Sequence, residues 1–339
     1  MPSLPLPLVT ALVLGFLLLR SIRHGGTPLW LRLFIGACIL QSVVIALHHH
    51  YGISALRPVQ PVTAILLPPL ALIAFETTAI RPFSARRHLP HLLLPPLAIA
   101  LIAILAPRLI DPAVPLIFAG YALAMLHELA GGTDSLPRTR LESGEVPALI
   151  WRLIAATFLL STMSDLLIFL DMEFAGGRFT PWVVGVFHGL LLLTLGGLGL
   201  SSALESPADT PGEPETIVDM PPDLHQDREK TGEDHKLTAR LEQLMTSERS
   251  YLDEGLTLAR LARRLGVPAK RLSAAINRVH GENVSRHVNR HRIDHACRLL
   301  EEGASVTTAM LESGFVTKSN FNREFKRLKG MAPSGWAGK

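Results

Sequence analysis

Near the C-terminal end, residues 318–328 combine hydrogen-bonding and cationic side chains at helical spacing. Phe321, Phe325 and Leu328 lie at i, i+4 and i+7, which predicts a helix with these residues on its buried face. The opposite stripe carries the polar and basic groups Ser319, Asn322, Arg323 and Lys326. A guanidinium can donate two hydrogen bonds to one guanine, and an amide can pair similarly with adenine. The stripe therefore has the chemistry needed to read base edges in a DNA groove.

The elements that would position this helix occur twice in the chain. Residues 305–315 predict a short helix ended by Gly314, so the two helices form a helix-turn-helix unit. A second such unit lies 49 residues upstream, with its turn at Gly266. Its first helix would bury Leu258, Leu261, Ala262 and Leu265, and its second Leu272, Ile276 and Val279. Residues 284–303 predict one long connecting helix, and residues 237–245 predict an opening helix.

Two helix-turn-helix units joined by a long helix resemble the DNA-binding domain of the AraC/XylS family of bacterial transcription regulators. The resemblance covers residues 236–337 and includes "FNREFKRLKG" and "MAPSGW" in the family's order. It implies promoter DNA, with one helix of each unit in a major groove about one turn apart, and RNA polymerase as partners. It also implies a regulator that is not an enzyme and needs no cofactor. One departure, Ala309 followed by Met310, leaves the packing angle in the second unit open.

The resemblance and the helix faces together predict the residues that contact DNA. Base edges would be contacted by Lys270, Ser273 and Asn277 in the first unit and by Lys318, Ser319, Asn322 and Arg323 in the second. Phosphates would be contacted by Arg271, Arg278, Lys326 and Arg327. Ala274 stands where the family often has a long polar side chain, so base reading by the first unit is expected to be weaker. The alternative is a solvated helical bundle whose charges serve solubility.

The first two hundred residues have a different character. Seven apolar runs of near-spanning length lie at 4–20, 29–47, 59–80, 89–107, 112–129, 148–170 and 181–203. Pro95, Pro96 and Pro115 are expected to break the fourth and fifth runs. The sequence thus predicts an all-α chain: a transmembrane bundle of about seven helices in contact with lipid, then a soluble double helix-turn-helix domain. A single large helical protein with a buried core is the alternative.

Arginines in the predicted loops indicate an orientation. Seven arginines would share a side with the C-terminus, namely Arg20, Arg23, Arg81, Arg86, Arg87, Arg138 and Arg140. The opposite loops carry only Arg57, Arg108 and Arg178. This bias predicts a multi-pass protein of the bacterial inner membrane with its C-terminal domain in the cytoplasm.

Polar residues inside the predicted spans are costly and are therefore candidates for function. Asp165 and His188 lie near the outer side, as do His48, His49 and His50. They could sense a proton or an unidentified metal ion, or form a buried hydrogen-bonded pair that fixes helix packing. Toward the cytoplasmic side, pairing or extension to the interface is expected for Arg32, Glu76, Glu128 and Arg152.

Charge divides the remaining chain. Residues 205–235 contain 2 basic and 10 acidic residues, whereas residues 236–339 contain 19 basic and 10 acidic ones. The first of these segments is rich in proline and acidic residues, which predicts a disordered tether. The predicted domains are therefore 1–204, a linker 205–235, and 236–339.

These features predict a membrane-integrated regulator that binds promoter DNA under the control of a signal. The signal, a small molecule, metal ion or proton, could change dimerisation with a second copy or release the DNA-binding domain. The alternatives are a transporter or membrane enzyme with a regulatory DNA-binding tail, and a membrane anchor without a sensing role.

Overall fold

The computed structural model describes residues 4–24, 27–174, 176–189, 193–194, 196 and 227–336. The chain divides into two compact units. One comprises Met1–Ala130 and Ala148–Ser206, and the other comprises Gly131–Pro147 and Pro207–Lys339. Regular structure in the described ranges is helical, apart from one isolated bridge between Arg140 and Thr257. The predicted all-α class is therefore confirmed.

Six helices are long and apolar enough to cross a bilayer, judged by length and composition, and two of them extend from the first unit a few residues into the second. They are Leu6–Arg23, Leu29–His50, Val59–Ile80, Ala85–Leu105, Pro107–Ser135 and Val146–Phe174. Of the seventh predicted run, 181–203, residues 181–189, 193–194 and 196 are described. The helical segment Thr180–Trp182 extends into this run, and Val183–His188 follows it.

The prolines expected to break the fourth and fifth runs instead lie inside continuous helices. Pro90, Pro95 and Pro96 are internal to the α-helix Ala85–Leu105, and Pro115 is internal to Ile110–Glu128. Apolar helices retain such prolines because neighbouring helices and hydroxyl groups compensate for the lost backbone bonds. The Thr162 hydroxyl also donates a hydrogen bond to the Pro115 carbonyl at 3.3 Å, which links this helix to Val146–Phe174.

Two of the ionisable residues expected to pair with one another, Glu76 and Glu128, instead pair with Arg81, just beyond a helix end. Glu76 is buried, and its Oε2 lies 3.3 Å from Arg81 Nε and 3.0 Å from His88 Nε2. Arg81 also reaches Glu128, with 3.3 Å between Nη2 and Oε1. Arg152 donates to the Leu129 carbonyl at 3.1 Å. Burying Glu76 is therefore accompanied by nearby positive charge, as a low-dielectric site requires.

The second unit contains the helices that resemble a DNA-binding domain. They are Asp227–Ser247, Leu258–Leu265, Ala269–His280, Val284–Glu301, Val306–Glu312, Lys318–Lys329 and Pro333–Trp336. We call Asp227–Ser247 the opening helix and Val284–Glu301 the connecting helix. Ala269–His280 and Lys318–Lys329, which are predicted to enter DNA grooves, are called the first and second recognition helices. Side-chain caps from Thr257, Asn283 and Ser305 begin three of these helices. The opening helix begins within the predicted linker, and residues 205–226 lie outside the described residues.

Each helix-turn-helix unit has its own core, and the connecting helix contributes to both. The first core includes Leu261, Leu272, Ile276 and Val288. The second includes Ile293, Phe315, Phe321 and Phe325, with both Ala309 and Met310. The buried faces predicted from helical spacing are therefore present, although Val279 and Leu328 are only partly buried.

Arg292 on the connecting helix links the two helix-turn-helix units through their buried side. Its side chain is fully buried and donates to the Tyr251 carbonyl at 2.6 Å and the Asp253 carbonyl at 2.8 Å. The guanidinium also lies over the Phe315 ring, 5.7 Å from its centroid. Burial lowers the pKa of Arg292 to about 10, so the side chain keeps its charge at neutral pH. These contacts fix the turn at Tyr251–Asp253, before the first helix-turn-helix unit, against the core of the second helix-turn-helix unit.

Candidate nucleic-acid interface

The second recognition helix is positioned by a tight turn at Gly314. This glycine has φ of +80°, and a Cβ there would lie 2.9 Å from the carbonyl oxygens of Tyr251 and Leu252. Only glycine fits both the left-handed backbone and this close approach. The turn leads directly into Lys318, so its geometry sets the direction of the helix that follows.

The six DNA-contact residues predicted on the second recognition helix are all exposed: Lys318, Ser319, Asn322, Arg323, Lys326 and Arg327. The opposite face is buried through Phe321 and Phe325, as the spacing predicts. Arg327 forms an ion pair with Glu324, with 2.8 Å between Nη2 and Oε2. In the part of the chain described, Lys318, Ser319, Asn322 and Lys326 make no side-chain hydrogen bond or ion pair, so their polar groups are accessible to a ligand.

On the first recognition helix, the two predicted phosphate contacts are engaged by the opening helix. Arg271 and Arg278 both form ion pairs with the buried carboxylate of Asp234, the latter at 2.6 Å between Nε and Oδ2. Burial raises the pKa of Asp234, but the hydrogen bonds from Arg278 and Arg271 outweigh this and hold it below its ordinary value. Lys270 and Asn277 remain exposed. The opening helix thus partly neutralises the positive charge of the first helix-turn-helix unit.

Comparison with protein families gives a match to a helix-turn-helix domain over residues 261–339. Residues 261–339 form an AraC-type helix-turn-helix domain. The match supports a DNA-binding transcription regulator that acts on double-stranded DNA. Neither the curated proteins nor the solved structures gave a match to the chain.

The AraC-type domain packs against Gly131–Pro147, which we call the inter-span segment because apolar helices flank it in sequence. Leu141 of this segment lies in the first core, beside residues such as Leu256. The Leu141 amide donates to the Leu256 carbonyl at 3.0 Å, and the Ala259 amide donates to the Pro137 carbonyl at 2.9 Å. The segment is therefore part of the folded unit.

The inter-span segment also reaches the second helix-turn-helix unit. The Val316 amide, just before the second recognition helix, donates to Glu142 Oε2 at 2.8 Å. Glu142 is only 2% exposed. Burial raises the pKa of Glu142, although the Val316 bond and the charge of Arg292 oppose the rise. The segment thus contacts both helix-turn-helix units of the AraC-type domain.

Two predicted base-reading residues are engaged by this segment. Ser273, on the first recognition helix, donates to Asp134 Oδ2 at 2.5 Å. Arg323, on the second, donates to the Ser143 carbonyl at 3.3 Å. Arg286, at the start of the connecting helix, forms a 2.7 Å ion pair with Glu145. The DNA roles of these residues stay predictions, but their side chains share one intramolecular partner.

Sequence reasoning did not find the inter-span segment as part of this site. The segment lacks helical periodicity, and its partners lie more than a hundred residues away in sequence. One signal was present for Arg292, since it follows the buried Val288 by four residues and precedes the buried Ala296 by four. That spacing places an arginine on a buried helix face.

The predicted sensor residues belong to the first compact unit, which comprises Met1–Ala130 and Ala148–Ser206. His48, His49 and His50 lie in a π-helical turn, Ala46–His50, with the His48 and His49 rings 4.6 Å apart. Asp165 is half-buried within Val146–Phe174. The His188 side chain lies outside the described residues, so its pairing with Asp165 stays a prediction.

Proposed function

We propose that this chain is a membrane-integrated transcription regulator whose inter-span segment engages one predicted base-reading residue on each recognition helix. A signal acting on the membrane helices would withdraw the segment and allow promoter binding. The AraC-type domain would lie in the cytoplasm of a bacterium, attached to the inner membrane. The contacts of the segment with both recognition helices carry this proposal.

Integration in a membrane is supported by the surface of the first unit. Large apolar side chains on its helices are exposed, for example Ile104, Leu105, Leu116 and Phe174. Water-exposed surfaces rarely carry so much contiguous apolar area, whereas lipid-facing helices require it. The arginine bias of the predicted loops supports a cytoplasmic C-terminus.

Control by the inter-span segment is supported by competition for the same side chains. While Arg323 Nη2 donates to the Ser143 carbonyl, it is not available for a bidentate pair with guanine, and the Ser273 hydroxyl proton is similarly donated to Asp134. Docking of the segment and binding of DNA are then alternative states of one domain. Any signal that favours the undocked state raises the apparent DNA affinity by the same free energy.

The flanking helices provide the physical link for such a signal. The inter-span segment is joined covalently to the apolar helices Pro107–Ser135 and Val146–Phe174. A displacement of either helix would be transmitted to a segment of only 17 residues. We include Asp165, His188 and the three neighbouring histidines as the proposed site of a proton or metal signal on the outer side.

The test is to weaken docking without touching the recognition helices. The Asp134→Ala/Glu145→Ala double variant removes two acidic partners that are not deeply buried. Each lost hydrogen bond or ion pair weakens docking by about 0.5–1.5 kcal/mol, so we expect operator affinity to rise about fivefold or more. The full chain in lipid nanodiscs would be titrated with an operator obtained by genome-wide mapping of bound DNA.

A matched control is Glu173→Ala, since Glu173 is an exposed acidic residue outside the inter-span segment. Its operator affinity should equal that of the wild type. If the double variant is folded and binds the operator no more tightly than the wild type, control by the segment is wrong. Membrane integration is tested separately by fractionation and by reporter fusions to the C-terminus, and periplasmic reporter activity would contradict the orientation.

A further inference from the structure

The C-terminal unit contains a cluster of metal-ligating side chains away from the DNA-reading residues. His287 and His291 lie four residues apart on the connecting helix, and Glu242 lies on the opening helix. One potential ligand atom from each lies within 4.8 Å of the other two. Residues four apart share a helix face, so both imidazoles can address the same point.

The spacing of the ligand atoms fits a divalent transition ion. His287 Nε2 lies 2.9 Å from Glu242 Oε1, and His291 Nε2 lies 3.4 Å from Glu242 Oε2. Bonds of about 2.0–2.1 Å in tetrahedral geometry place neighbouring ligand atoms about 3.3 Å apart. The two separations run to different oxygens of Glu242, and one ligand atom from each residue lies within 4.8 Å of the other two, so an ion would draw the three side chains together.

The His287 ring lies between two carboxylates. Nδ1 of His287 lies 3.1 Å from Glu282 Oε1, and Arg290 holds the other oxygen of Glu282 at 2.7 Å. An ionised carboxylate only accepts hydrogen bonds, so Glu282 pairs with Nδ1 when that nitrogen carries a proton. Nε2, on the other side of the ring, lies 2.9 Å from Glu242 Oε1, where a bound cation would interact with both groups.

The burial of His287 strengthens this point. Its side chain is 2% exposed, and Nε2 has no hydrogen-bond partner among the described residues despite its distance to Glu242. A buried, unsatisfied nitrogen directed at a carboxylate requires a partner.

We propose that Glu242, His287 and His291 bind a divalent transition-metal ion such as Zn²⁺, with water as the fourth ligand. Imidazole and carboxylate ligands suit Zn²⁺, and the Glu282 carboxylate supplies the outer hydrogen bond that orients a ligating histidine. The ion would join the opening helix to the connecting helix. Because the opening helix also carries Asp234, metal binding would stabilise the restraint on Arg271 and Arg278. This site is independent of the membrane proposal.

The experiment is a Zn²⁺ titration of the full chain in nanodiscs, purified with a tag that lacks histidine and stripped by a chelator. We expect one high-affinity ion per chain at this site, measured by competition with a chromophoric chelator. His291→Ala changes a partly exposed ligand and should weaken that binding at least tenfold. Glu282→Gln should weaken it about 10–100-fold if the orienting hydrogen bond matters.

His295→Ala is the matched control, because His295 lies on the same helix one turn further on and outside the ligand set. Its Zn²⁺ affinity should equal that of the wild type. The proposal is overturned if the wild type binds no stoichiometric ion, or if folded His291→Ala binds Zn²⁺ as tightly as the wild type does. A Co²⁺ absorption spectrum typical of tetrahedral nitrogen and oxygen ligation, lost in His291→Ala, would provide independent support.

Discussion

The two helix-turn-helix units share one plan but restrain their DNA-facing residues differently. In the first, Arg271 and Arg278 are held by Asp234 of the opening helix. In the second, Lys318, Asn322 and most of their neighbours are exposed without such partners. A duplicated motif can therefore have its two halves restrained by different partners: Arg271 and Arg278 by the opening helix, and Arg323 by the inter-span segment. We expect the second unit to dominate base reading and the first to contribute chiefly once its arginines are released.

The largest expected difference concerns the equivalent turn glycines. Gly314→Ala places a Cβ 2.9 Å from two backbone carbonyl oxygens at φ of +80°, whereas the Cβ of Gly266→Ala at φ of +70° meets nothing within 4 Å. The left-handed backbone costs about 1–2 kcal/mol in either variant, and the clash adds about 1–3 kcal/mol at Gly314 only. Urea unfolding of the C-terminal unit, monitored by hydrogen exchange, would measure the loss of stability in both variants. Equal destabilisation would contradict the packing at Gly314.

The next prediction compares one side chain from each recognition helix. Arg323→Ala should reduce operator affinity by about 1–3 kcal/mol and relax base preference at one position, because a bidentate contact to guanine is lost. Ser273→Ala should cost less, since a hydroxyl makes a single neutral hydrogen bond of about 0.5–1.5 kcal/mol. Binding to a panel of operators with single-base changes would test both. Unaltered base preference in Arg323→Ala would remove that residue from the reading face.

Asp234→Asn should release Arg271 and Arg278 of the first helix-turn-helix unit. The folded-state pKa of Asp234 is lowered, so its stabilisation is complete above the ordinary carboxyl pKa of about 4 and is lost as pH falls through the lower folded value. We expect the variant to be about 1–2 kcal/mol less stable at pH 7, because the guanidiniums are partly exposed. The gap from the wild type should close below about pH 4. Glu233→Gln, which alters an exposed partner, should have little effect.

The smallest expected effect concerns a phosphate contact. Lys326→Ala should lower operator affinity about equally for all sequences and reduce the slope of log affinity against log salt by about 0.9. Lys236→Ala is a suitable control, because Lys236 is an exposed lysine on the opening helix. A sequence-dependent loss in Lys326→Ala would instead indicate a base contact.

The sequence predicted most of the helices but little of what covers them. Apolar length indicated the helices that are long enough to cross a membrane, and the i, i+4 spacing of Phe321 and Phe325 identified a buried face correctly. Pro95 and Pro96 interrupt the apolar pattern without ending the helix, and a helical bundle tolerates such breaks. The inter-span segment was not predicted, because the burial of Glu142 depends on partners distant in sequence that follow no local period.

The central claim is that DNA and the inter-span segment compete for the recognition helices. Hydrogen exchange of the full chain in nanodiscs, with and without operator DNA, measures this directly. The account predicts that backbone amides of residues 131–147 exchange faster when DNA binds, while those of the second recognition helix exchange more slowly. If the segment remains equally protected in the DNA complex, the two do not compete and the claim is contradicted.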